Sequence, residues 1–272
     1  MFPVPDIIVT GGGPAGISAA LTARSRGKTV EIIGAAPEDS PLYKSESIDN
    51  YPGFHDITGR ELLEKMRDHA SASGIGFQSG RVLSVTPMNG KFWISAGGEL
   101  LESEAVVLAP GMIVKNIFPG EREFLGKGVS YCATCDGMLY KNKRVAVLGL
   151  CKEALNEAEF LKSVGCDVLY FEKPRNCRIT GENKAEELYV DGTAYRADGV
   201  FILRSGVAPD NLVPEISLKD GHISVDEKMR TSLPGIFACG DCTGKPYQIA
   251  KAVGQGNVAG LSAAEYIEKK EK

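Results

Sequence analysis

A chain of 272 residues, 43% hydrophobic and 24% charged, is long enough for two ordinary domains, each with a buried core. A formal net charge of -4 excludes the basic footprint that nucleic acid or an acidic membrane surface requires, and no apolar run approaches a membrane span. The opening residues run into a glycine loop rather than a signal peptide, so a cytoplasmic location is expected; seven cysteines, an odd number, point to one redox or metal motif among ordinary thiols.

In chain order, "DIIVT" (6–10), "GGGPAG" (11–16), "ISAALTARSRG" (17–27) and "TVEIIG" (29–34) read as strand, glycine turn, helix and strand. "RVLSVTPMNGKFWISA" (81–96) reads as a hairpin turning at Asn89-Gly90. A second strand-turn-helix-strand follows: "RVAVLG" (144–149), "CKEALNEAEFLKSVG" (151–165) and "CDVLYFE" (166–172). "EELYVDGTAYRADGVFIL" (186–203) carries a second hairpin signal at Asp191-Gly192, and "GIFACGDCTG" (235–244) leads into a last helix. Two βαβ openings predict an α/β chain of two Rossmann-like three-layer domains. The first, residues 1–112 and 233–272, is expected to be interrupted by a smaller inserted domain, 113–232.

Gly11, Gly13 and Gly16 stand between a strand and a helix. In that setting the first allows a tight turn, the second admits a pyrophosphate and the third lets helix pack on strand. Gly34 closes the second strand where an acidic ribose partner is usual. In "YCATCDG" (131–137), Cys132 and Cys135 are spaced to cycle between dithiol and disulfide, or to supply half of a zinc site or an iron–sulfur ligand pair. Cys239 and Cys242 form a second CxxC, so four-cysteine ligation stays open on spacing, although the Gly-Asp turn around them points to packing. Cys151, Cys166 and Cys177 read as small buried hydrophobes, and the three histidines have no ligand spacing, so no metal site is expected.

The ordered set "GGGPAG", "DNYPG" (49–53), "CATCDG" (132–137) and "GIFACGDCTG" resembles the low-molecular-weight thioredoxin reductases, FAD-containing disulfide oxidoreductases. The resemblance implies that the discontinuous domain binds FAD through Gly11, Gly13, Pro14, Ala15, Gly16, Gly240 and Asp241, with Asn50, Gln248 and Ile249 along the flavin. It further implies a Cys132–Cys135 redox disulfide carried by the inserted, pyridine-nucleotide-type domain, thioredoxin as acceptor, and a homodimer. Asp136 would protonate a leaving thiolate; the plainer reading is a turn cap before Gly137. Between its two catalytic steps the inserted domain would swivel about segments near 112–117 and 228–234.

One stretch departs from the family. NADPH-dependent members carry a turn of the type GGGxSAxEEA in the inserted domain, followed by a basic cluster for the 2′-phosphate; this chain reads "GLCKEALNEA" and then "FEKPRN". Cys151 puts a side chain where backbone must approach a pyrophosphate. In keeping the FAD and CxxC motifs while losing these, the chain resembles the flavin-type ferredoxin-thioredoxin reductases, which implies ferredoxin as donor. Lys141, Lys143, Arg144, Lys173, Arg175 and Arg178 are then candidates for its dock. The alternatives are NADPH in an atypical site, a second flavin in that site, or a flavin redox sensor without turnover.

Overall fold

In the computed structural model, the residues described are 4–111, 118–151, 154–204 and 209–270. From the N-terminus, β1 (Ile7–Thr10), α1 (Pro14–Ser25) and β2 (Val30–Gly34) form the expected βαβ unit. Then come α2 (Gly59–Ala72), β3 (Gly76–Ser79), β4 (Val82–Met88), β5 (Lys91–Ala96), β6 (Glu99–Ser103) and β7 (Ala105–Leu108). A second series runs β8 (Val129–Ser130), α3 (Ala133–Asp136), β9 (Arg144–Gly149), α4 (Ala154–Ser163), β10 (Asp167–Glu172), β11 (Cys177–Thr180), β12 (Glu187–Val190), β13 (Thr193–Arg196) and β14 (Gly199–Leu203). The chain ends with α5 (Pro209–Leu212), β15 (Leu218–Lys219), β16 (His222–Ile223), β17 (Ile236–Ala238) and α6 (Ile249–Lys270).

The chain divides into two units, Met1–Ile113 with Gly206–Lys272, and Val114–Ser205. In the first, a five-stranded parallel sheet is ordered β17-β7-β1-β2-β3. Alternation in β1 assigns its two faces: Ile7 and Val9 join alanines of α1 and α6, while Ile8 joins Phe92 and Ile94 of the antiparallel β4-β5-β6 sheet. The second unit repeats the three layers. Its parallel sheet, β10-β9-β14-β8, packs Val145 and Val147 against α4, and Ala146 and Leu148 against the β11-β12-β13 sheet.

Both hairpins turn where the sequence predicts. Asn89-Gly90 (φ 54° and 75°) and Asp191-Gly192 (φ 48° and 86°) are left-handed at both central residues, the backbone that matches strand twist. The return to the first unit comes earlier than the expected residue 233. It starts at 206, because Leu212, Val213, Ile216 and Ile223 are buried with Ile8, Val106 and Ile236 in the first unit's core. The predicted pivot at 228–234 therefore lies inside that unit, where the Met229 carbonyl accepts the Ala238 N–H at 3.0 Å. The other, 112–117, lies outside the described residues. Among the described residues no helix is long and apolar enough to cross a membrane.

Candidate functional site

In the first unit the carboxyl ends of β1, β2, β7 and β17 converge on the glycine turn, the edge at which open α/β sheets take ligands. Gly11 has φ +112° and donates its N–H to the Ile33 carbonyl at 2.7 Å; a Cβ there would lie 2.1 Å from the Ala109 carbonyl oxygen. A Cβ on Gly16 would meet the Gly11 oxygen at 1.9 Å, so the close approach of α1 to the turn at this point requires glycine. At Gly13 a Cβ would meet nothing within 4 Å, and α1 starts beyond it with Pro14 and no side-chain cap. The positive end of the helix therefore faces open space. Gly34 also has a local reason to be glycine, since a Cβ there would lie 2.9 Å from the Gly12 nitrogen.

The 240–251 segment closes on the same turn. A Cβ on Gly240 would lie 2.8 Å from the Ala15 Cβ, and one on Gly256 of α6 would lie 2.2 Å from the Ala15 oxygen. The Gly240 N–H donates to Gln255 Oε1 at 3.0 Å, and Lys251 Nζ donates to the carbonyls of Gly240 (2.8 Å) and Gly244 (2.7 Å). Burial raises the pKa of Asp241 against the opposing Lys251 ammonium, and burial lowers that of Lys251. Asn50 Nδ2 donates to Gln248 Oε1 at 2.9 Å, which joins two candidate residues 198 positions apart; Ile249 opens α6 beside them. Cys239 and Cys242 are buried free thiols, and Cys242 Sγ donates to the Cys239 carbonyl at 3.2 Å. Burial pushes Cys242 up to about 12 and Cys239 well above the ordinary thiol range, so both are protonated packing groups.

In the second unit, Cys132 is buried and disulfide-bonded. Cys135 lies in α3, and its side chain falls outside those described. The Cys132 N–H donates to Ser130 Oγ at 3.0 Å, and the Ala133 N–H donates to Glu157 Oε2 of α4 at 3.2 Å. Asp136 makes no cap to the turn that follows; it accepts from Ser130 Oγ at 2.7 Å. Cys166 and Cys177 are buried as expected, whereas Cys151 is only half-buried.

The second strand-turn-helix keeps the outline of the first without its cradle. Gly149 is outside the left-handed φ of Gly11, and Cys151 occupies the position of Gly13. Tyr170 covers the turn: a Cβ on Gly149 would lie 2.2 Å from its hydroxyl and 2.6 Å from its ring. The two registers explain this, since Val9 pairs with Ile32 and Val147 with Tyr170, each two residues before its glycine. An aromatic ring thus stands where the first unit has an isoleucine.

Residues 5–189 and 175–256 match the family model of the pyridine nucleotide-disulphide oxidoreductases. The chain belongs to this family. It is similar to a thioredoxin reductase of Aquifex aeolicus, 33% identical over 99% of this chain and 95% of that one. A ferredoxin-flavin thioredoxin reductase structure from Clostridium acetobutylicum matches with TM-score 0.88 and 38% identity, covering 97% and 98% of the two chains. A thioredoxin reductase from Gloeobacter violaceus matches with TM-score 0.82 and 31% identity, covering 98% and 96%. The family member described here is a flavoprotein of the thioredoxin reductase type, and its cofactor is FAD.

The first unit fits that cofactor. The open side of Gly13 at an uncapped helix start suits a pyrophosphate, and Gly11, Pro14, Ala15, Gly16 and Gly240 come together around it. Arg67 escaped the sequence reading. It stacks on Phe77, 4.1 Å from the ring centroid, with Nη1 3.1 Å from the point a Cβ on Gly12 would take. Neither Arg67 nor Lys251 sits in a motif that would have drawn attention to it.

Proposed function

We propose that this flavoprotein carries electrons from a reduced ferredoxin through FAD to a Cys132–Cys135 disulfide and from there to thioredoxin. The observation that carries the choice of donor is the second turn, where Tyr170 covers Gly149 and Cys151 stands at the position that Gly13 holds in the first turn. A pyridine nucleotide has no glycine cradle there. The name of the Clostridium acetobutylicum neighbour, a ferredoxin-flavin thioredoxin reductase, supports the same reading.

In this mechanism Gly11, Gly13, Pro14, Ala15 and Gly16 would hold the pyrophosphate of FAD, Gly240 and Asp241 the adjoining chain, and Asn50, Gln248 and Ile249 the ring system. Bound FAD supplies the capacity to take electrons singly and pass them on as a pair. Two electrons and two protons convert the cysteine disulfide to a dithiol. One thiolate attacks the thioredoxin disulfide, forming a mixed disulfide and expelling a thioredoxin thiolate; the second cysteine thiolate then attacks the sulfur of the first, re-forming the Cys132–Cys135 disulfide and releasing the remaining thioredoxin sulfur as a thiolate. Asp136 delivers the proton to the leaving sulfur. Met138 and Leu139, 60% and 69% exposed just beyond the CxxC, offer apolar contact to a protein disulfide. Lys141, Lys143, Arg144, Lys173, Arg175 and Arg178 are all exposed, so each is accessible to an acidic donor protein.

The test is an anaerobic titration that follows bleaching of the flavin absorbance, with NADPH or NADH in one series and chemically reduced ferredoxin in the other. Rapid bleaching by ferredoxin alone is expected. Bleaching by stoichiometric NADPH overturns the donor assignment. A Cys135→Ser variant that still reduces thioredoxin at the normal rate overturns the dithiol chemistry.

A further inference from the structure

The hydroxyl of Ser130 stands between the two polar groups that matter most around the CxxC. Ser130 is 5% exposed, at the end of β8, and its side chain meets three partners. It accepts the Cys132 N–H at 3.0 Å, lies 2.7 Å from Asp136 Oδ2 and 3.2 Å from the Cys132 carbonyl oxygen. A serine hydroxyl has one proton to donate and two lone pairs to accept with, so it cannot donate to both oxygens at once. When Asp136 is ionised, the hydroxyl donates to the carboxylate. When Asp136 is protonated, its O–H donates to Ser130 Oγ, and the serine proton turns to the Cys132 carbonyl. A carbonyl oxygen accepts with two lone pairs, so it can take the serine proton beside the Asp136 N–H at 3.3 Å. Every group is satisfied in either state, and the carboxyl does not have to move.

We infer that Ser130 is the positioning residue of the Asp136 acid: it holds the carboxyl at one place beside the CxxC in both protonation states. The inference rests on the reading of Asp136 as the proton donor in disulfide exchange. Other groups face the site. Glu157 of α4 holds the Ala133 N–H, the Tyr140 phenol feels the charges of Asp136 and Asp198, and Cys132 itself is part of the redox pair. Phe160 and Leu161 of α4, with Val164 just beyond its end, line the position of an added Cβ on Gly137, so that side is apolar. Among the described residues, only Ser130 donates a hydrogen bond to the Asp136 carboxylate, so its loss falls selectively on that carboxylate.

The experiment compares S130A, S130T and D136N holoenzymes with the parent protein. Infrared difference spectroscopy of the oxidised protein follows the carboxyl band that D136N removes, and thioredoxin reduction is measured across pH in parallel. In S130A the midpoint of that band is expected to rise by roughly one pH unit, since a hydrogen bond to the charged form is lost. The alkaline limb of turnover should move with it, and S130T, which keeps the hydroxyl, should restore both. An S130A band at the parent midpoint, in a protein whose turnover D136N has lowered, overturns the inference while leaving the acid intact. If D136N turns over at the parent rate across pH, the acid reading itself fails, and with it the role of Ser130. Flavin content and melting temperature of each variant show whether S130A is folded; if it is not, a shifted midpoint and limb in S130T also overturn the assignment.

Discussion

Arg204 grips Glu121 through two parallel hydrogen bonds, each 2.9 Å, with both side chains buried. The carboxylate also accepts the Phe118 N–H at 2.9 Å and the Tyr131 hydroxyl at 2.8 Å, so both oxygens are doubly bonded. Phe118 is the first described residue of the second unit's entering stretch, Arg204 follows its last strand, and Tyr131 precedes Cys132. One ion pair thus ties together the entry, the exit and the approach to the CxxC. Burial and the Glu121 charge also hold the Tyr131 phenol above its ordinary pKa, so it remains a donor throughout the working range.

Breaking this pair leaves a buried charge without its counter-ion, which costs about 3–5 kcal/mol. E121A is therefore expected to lower the urea midpoint sharply, and Y131F, which removes one neutral donor, to cost only about 1–2 kcal/mol. The double variant E121A/R204M should recover part of the loss. Equal midpoints for E121A and the double variant would show that the unpaired guanidinium is not the cause.

The glycines of the first turn make separable predictions. Gly13 has φ -86° and open space around it, so G13A should fold normally while its methyl occupies the pyrophosphate approach. FAD affinity is expected to fall by tenfold or more, the ratio that about 1.4 kcal/mol produces. G16A drives a Cβ to 1.9 Å from the Gly11 oxygen and should lose stability, on the order of 1–3 kcal/mol, before any ligand is added. Calorimetric titration of the apoproteins with FAD, beside their melting curves, separates the two effects.

These contrasts also show what the sequence could reveal. Gly11, Gly13 and Gly16 were legible because each role depends on a missing Cβ within six consecutive residues, and the two hairpins because Asn-Gly and Asp-Gly fix the turn locally. The pair Glu121–Arg204 spans 83 positions and matches no spacing rule. Cys151 announced the loss of the second cradle, but Tyr170 over Gly149 required the strand register to be known. The early return at 206 was hidden for a similar reason: "DNLVPEIS" is too short an apolar run to declare which core buries it.

Cys239 and Cys242 give a pH prediction whose sign follows from their burial. An exposed thiol ionises near pH 8.5, whereas Cys242 in the fold does so at about 12. Below about 8.5 both folded and unfolded states keep the proton, and the thiol contributes no pH dependence. Between these values only the folded state keeps it, so unfolding releases a proton and stability falls by about 1.4 kcal/mol per pH unit for such a thiol. C242A should flatten the decline in unfolding free energy measured above pH 9. In the native protein at pH 8, iodoacetamide should label the reduced CxxC well before Cys239 or Cys242, as mass spectrometry of peptides would report.

The contact of α6 with α1 links stability to the cofactor site by distance. Gly256 lies against the Ala15 oxygen and Gly260 against the Ala19 oxygen, at 2.2 Å and 2.3 Å from the Cβ each would gain. Both alanine variants must push the helices apart, at a cost of about 1–3 kcal/mol. Ala15, however, lies in the first turn of α1, beside the open face of Gly13, whereas Ala19 is a turn further along. G256A and G260A should therefore melt at similarly reduced temperatures, yet G256A should weaken FAD binding severalfold more. Equal FAD affinities in two equally destabilised variants would mean that the start of α1 does not set the geometry of the pyrophosphate site, and that the glycine turn holds its shape independently of α6.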